Sequence, residues 1–150
     1  MAYILVVDGD EAVQHLLGLA IRSGRSPAET VAVTDAIGLA EGFARTPWAG
    51  LVFDPATSPW LPPVRWVRSF QAQHPQVPVL VWSHGLAAKD AAELARCGAT
   101  LLPSKDFASI AAVPDWWSET GEEARKTPPS VPRGSKPSPL RAGVGGSPGP

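Results

Sequence analysis

Five polar side chains carry the chemistry expected of this sequence: Asp8, Asp10, Asp54, Ser83 and Lys105. Carboxylates gathered at one edge of a fold repel one another unless a cation or a proton lies between them. Their hard oxygens suit Mg2+, which commonly takes one or two carboxylates and completes its shell with water and phosphate oxygens. An ammonium and a hydroxyl facing such a pair can hold a phosphoryl group by charge-assisted hydrogen bonds, and a carboxylate can accept that group as a nucleophile. Phosphoryl transfer onto a carboxylate is the reaction this set fits best. Each residue also has a plainer reading. Asp8 or Asp10 can cap a helix, a contribution of about 1 kcal/mol. Asp54, before Pro55, can be a turn residue, and Ser83 and Lys105 can be solvated loop residues. Their joint placement argues otherwise, because each lies just past an apolar, strand-like run.

Those runs define the elements that must position the site. YILVV (Tyr3–Val7) is continuous rather than alternating, the pattern of a strand buried on both faces of a parallel sheet. Val13, Leu16, Leu17, Ala20 and Ile21 then form the apolar stripe of a helix that Gly24 would stop. ETVAV (Glu29–Val33) predicts a second strand, and Ala36, Leu39, Ala40, Phe43 and Ala44 predict a second helix. GLVF (Gly50–Phe53) predicts a third strand, ending at Asp54. A loop with Pro55, Pro59, Pro62 and Pro63 leads to a helix over Val64–Gln73, with Pro63 suited to its first position. VPVLVW (Val77–Trp82) predicts a fourth strand, Ala87–Arg96 a helix before Gly98, and ATLL (Ala99–Leu102) a fifth strand ending near Lys105. A last helix from Asp106 to Trp117 is interrupted by Pro114, which leaves Trp116 and Trp117 outside the expected core. Five alternations in this length imply an α/β fold with a doubly wound five-stranded parallel sheet. In such a sheet, ligands bind beyond the carboxyl ends of the strands, where the five polar residues fall.

Composition narrows the class further. With 44% hydrophobic and 18% charged residues the chain can build a substantial core. Cys97 stands alone, so no intrachain disulfide framework or cysteine-held zinc is possible, and the cytoplasm is the expected compartment. No apolar run approaches the roughly 20 residues that span a bilayer. His15, His74 and His84 show no ligand spacing, although His84 follows Ser83 at the rim. All 14 acids and eight of the 13 Lys and Arg residues lie in residues 1–123, whereas 124–150 hold the other five cations and no acid. Seven prolines crowd the last 23 residues. Such a segment cannot offset the entropy of ordering, so residues 119–150 are expected to be a basic, disordered tail behind a domain of residues 1–118. Five cations without interleaved aromatics argue against a nucleic-acid site.

ILVVDGDE (Ile4–Glu11), GLVFD (Gly50–Asp54), PVLVWS (Pro78–Ser83) and CGATLLPSKD (Cys97–Asp106) resemble, in order and spacing, the receiver domains of bacterial two-component response regulators. The resemblance covers roughly residues 1–113 and implies a flavodoxin-like receiver architecture. It implies that Asp54 accepts a phosphoryl group from a histidine kinase or phosphotransfer protein, with Mg2+ held by Asp8, Asp10 and Asp54. Ser83 would contact the phosphoryl group, Lys105 would pair with it, and a downstream protein would read the state. Any catalysis would be self-phosphorylation from a phosphohistidine donor and autodephosphorylation.

The departures are equally specific. Gly9 stands where the family has its second adjacent acid, normally the direct metal ligand, so Asp10 would have to compensate through a bend in the loop. Leu102 stands in place of the usual strand-five aromatic, and Asp106 where many members have proline. Gly9, Leu102 and the proline-rich loop after Asp54 keep a second reading open: a pseudo-receiver that binds partners without phosphate.

Overall fold

The computed structural model describes residues 2–34, 48–57 and 62–126, with the backbone alone for 121–126. The chain runs β1 (Tyr3–Val7), α1 (Glu11–Arg22), β2 (Glu29–Val33), β3 (Gly50–Phe53), a 3-10 turn (Pro55–Thr57), α2 (Pro63–Gln73), β4 (Val79–Trp82), α3 (Ala88–Arg96), β5 (Thr100–Leu102) and α4 (Phe107–Lys126). The helix expected from Ala36 to Ala44, Pro59 in the proline-rich loop, and the tail beyond residue 126 lie outside the described residues.

The strands pair in the order β2-β1-β3-β4-β5, all parallel. The order turns back between β1 and β3, and that reversal opens a crevice at the carboxyl ends of these two strands. Successive side chains point to opposite faces, and both faces are covered. Leu5, Val7, Leu51, Phe53, Val79 and Val81 pack with Trp66, Val67 and Phe70 of α2 and Leu94 of α3. Ile4, Val6, Val52, Leu80 and Trp82 pack with Leu17 and Ile21 of α1 and with Val113, Trp116 and Trp117 of α4. This double coverage is the doubly wound arrangement, and it explains why the strands read as unbroken apolar runs. Among the described residues no helix is long and apolar enough to cross a membrane.

The last helix departs from expectation at Pro114. α4 spans Phe107–Lys126 and is continuous through that proline. Proline removes one backbone donor from a helix interior, but here Val113, Trp116 and Trp117 are buried against the sheet on either side of it. Burial of those side chains outweighs the local penalty. Trp116 and Trp117 are therefore core residues, and the Trp117 indole donates a 2.8 Å hydrogen bond to the carbonyl of Ser26.

Candidate functional site

Asp8 follows β1 and Asp54 follows β3, the two neighbouring strands at the crevice. Backbone bonds continue the ladder past the strands and fix both residues: Asp8 N–H donates to Val33 O at 3.3 Å, and Asp54 N–H to Val7 O at 2.9 Å. Both carboxylates are buried, with relative exposures of 2% and 8%. Each uses one oxygen locally. Asp8 Oδ1 accepts from Asp10 N–H and Asp54 Oδ1 from Ala56 N–H, both at 2.9 Å. The remaining Oδ2 atoms of Asp8 and Asp54 both accept from the Lys105 ammonium, which bridges them. Burial disfavours the charge on Lys105, but the hydrogen bonds and charges of Asp54 and Asp8 outweigh it. The ammonium is therefore held above the ordinary lysine pKa.

These residues border an open cleft of about 370 Å³, together with Asp10, Thr57 and His84. Asp10 stands at its edge, but its Oδ1 caps α1, accepting from Ala12 N–H at 2.9 Å and Val13 N–H at 3.3 Å. Ser83 is buried, and its hydroxyl donates to the carbonyl of His84 at 3.0 Å. It lines a separate apolar cavity of about 210 Å³ with Val81, Leu86, Leu101 and Leu102, not the acidic cleft. Asp8, Asp54 and Lys105 thus converge, Asp10 is turned to the helix, and Ser83 stands behind the rim.

Two further residues belong to the cleft. Thr57 Oγ1 accepts from Gly9 N–H at 3.1 Å and ties the loop after β1 to the loop after β3. Its signal was Pro55 directly after Asp54, which opens the 3-10 turn that brings Thr57 back. His84 Nδ1 accepts from the backbone N–H of Lys105 at 3.4 Å.

Among the described residues no group of three or more His, Cys, Asp and Glu side chains is placed to hold a metal ion. Two buried carboxylates facing a cleft nevertheless suit Mg2+, whose other positions go to water and phosphate oxygens. The donor set fits the ion at its minimum.

The same architecture occurs in solved structures. An orphan response regulator of H. pylori, HP1043, superposes with a TM-score of 0.67 at 11% identity, covering 79% of this chain and 95% of that one. The phosphorylated cyanobacterial phytochrome response regulator RcpA does so with a TM-score of 0.62 at 17% identity, covering 79% and 95%. The fold is that of a response-regulator receiver domain. NtrX from Brucella abortus gives a TM-score of 0.67 at 23% identity over 83% of this chain, which spans only 29% of the NtrX chain. No sequence-family profile matches the chain, and no curated protein matches it by sequence.

Proposed function

We propose that this receiver fold serves two-component signalling and that Asp54 is its phosphoacceptor. The observation that carries the reading is the Lys105 ammonium shared between Asp54 and Asp8 at the crevice of the sheet. A carboxylate oxygen of Asp54 attacks the phosphorus of a phosphohistidine. The P–O bond forms as the P–N bond breaks, and the imidazole leaves on the donor, a histidine kinase or phosphotransfer protein. Lys105 neutralises the charge gathering on the transferred oxygens. Asp8 and Asp54, with Asp10 at the edge, are the oxygen donors available to Mg2+, which when bound would neutralise further phosphoryl charge. The acyl phosphate returns to the carboxylate by hydrolysis, and a downstream protein reads the phosphorylated state.

A small phosphodonor with Mg2+, followed by intact mass, tests this. One phosphoryl increment is expected in the wild type and none in Asp54→Ala; equal labelling of the variant overturns the assignment. The turn of Asp10 to its cap, beside Gly9, favours a second reading: a pseudo-receiver whose cleft recognises a partner without phosphate. A folded wild type that takes no label supports that reading.

A further inference from the structure

We propose that Trp82 is a positioning residue for Lys105 and ties the cleft to the start of α4. Trp82 is the last residue of β4 and is 1% exposed. Its register partner on β5 is Leu102, three residues before Lys105. The indole N–H donates both to the carbonyl of Ser104 at 3.2 Å and to Ser109 Oγ at 2.9 Å. The first acceptor immediately precedes Lys105 and the second lies in the first turn of α4. The Lys105 ammonium itself stands 5.2 Å from the centroid of the Trp82 ring, within cation–π range. One buried side chain therefore holds the backbone before Lys105, the helix after it and the charged end of its side chain.

Ser109 makes this a closed circuit. Its hydroxyl accepts from Trp82 Nε1 and from Asp106 N–H at 2.9 Å, and donates to the carbonyl of Asp106 at 2.8 Å. That uses its one donor and both acceptor sites. Asp106 Oδ1 in turn accepts from Ser109 N–H at 2.9 Å, so Asp106 and Ser109 cap the start of α4 reciprocally. A change in what the Lys105 ammonium grips has a direct route through the indole to this cap. Leu102 is aliphatic, and the aromatic next to the site lies on β4 instead.

This inference deepens the phosphoacceptor reading, but its test needs no phosphate. The full-length protein is acetylated with limiting acetic anhydride, and labelling of Lys105 is read by peptide mass against the exposed Lys89. Trp82→Phe keeps a buried ring and deletes the N–H, and Ser109→Ala removes one of its acceptors while leaving the core in place. Each is expected to raise the Lys105:Lys89 ratio by about tenfold, as loss of buried hydrogen bonds frees the segment. Leu80→Val loosens the same core layer without touching the indole and is expected to keep the wild-type ratio. An unchanged ratio in Ser109→Ala, or an equal rise in Leu80→Val, overturns the proposal. Ser109→Ala decides the matter should Trp82→Phe fail to fold. A protein that takes no phosphate on Asp54 can still pass this test, and one that does can still fail it.

Discussion

Lys105 and Asp8 stand 97 positions apart in the chain and meet in an ion pair whose side chains are 11% and 3% exposed. Lys105 follows the edge strand β5, whereas Asp8 follows β1, which lies beyond β4 and β3 in the sheet. The loop after β5 and the lysine stem together bring the ammonium to both carboxylates at the carboxyl edge. The ammonium lies between two carboxylates that would otherwise repel each other in a poorly solvated place.

Removing that charge should cost stability. Lys105→Met leaves Asp8 and Asp54 buried and facing each other, and a loss of about 3 kcal/mol is expected for a broken buried pair. Urea unfolding measures it. Adding Asp8→Asn should recover part of the loss, because the two changes act on one interaction. A Lys105→Met protein as stable as the wild type would mean that the bridge contributes nothing net.

The same bridge sets a pH dependence at the alkaline end. The folded-state pKa of Lys105 is raised above its ordinary value, so the unfolded chain releases this proton first as pH rises. The stabilisation is fully present below the ordinary lysine value of about 10.4 and is lost as pH climbs through the higher folded value. Unfolding midpoints taken from pH 9 upward should fall more steeply for the wild type than for Lys105→Met. Parallel curves would contradict the assignment.

The central strands Tyr3–Val7 and Gly50–Phe53 were legible because burial on both faces leaves an unbroken apolar run, and the half-exposed edge strand Glu29–Val33 also stands where its run places it. The doubly wound, five-stranded parallel sheet also followed, since alternating strands and helices restrict the connections. The continuity of α4 was not legible, because Pro114 is a local breaker and the burial that overrides it comes from the far side of the chain. At the site, position along the strand was readable but direction was not. Asp10 and Ser83 fall at the rim as expected, yet one faces a helix terminus and the other an apolar cavity. Neither turn is encoded by residue type alone.

Gly9 offers a direct test of the metal reading. A Cβ added there would meet nothing closer than Thr57 Cγ2 at 3.9 Å, an ordinary contact. Among the described residues the positive-φ glycines are Gly85 and Gly98, so Gly9 can accept a side chain without backbone strain. Gly9→Asp adds a carboxylate beside Asp8 and is expected to tighten Mg2+ binding about tenfold by titration calorimetry, as a further hard oxygen donor joins the shell. Unchanged affinity would place the ion elsewhere, or nowhere, in the cleft.

Gly50 tests how α4 is seated. A Cβ at this first residue of β3 would stand 3.2 Å from Trp117 Cζ3 and 3.6 Å from Ile4 Cγ1. The indole cannot swing away freely, because its N–H is held by Ser26 O. Gly50→Ala should therefore destabilise by about 1–3 kcal/mol, the usual cost of overpacking a core. Trp117→Phe removes the atoms that clash but also strands the Ser26 carbonyl, and alone should cost about 1–3 kcal/mol. Combined, the two should lose less than the sum of the single losses, since the smaller ring makes room for the methyl group. Urea unfolding of the four proteins gives the coupling. Strict additivity would mean that Trp117 does not limit the space at Gly50, and the seating of α4 on β3 would have to be revised.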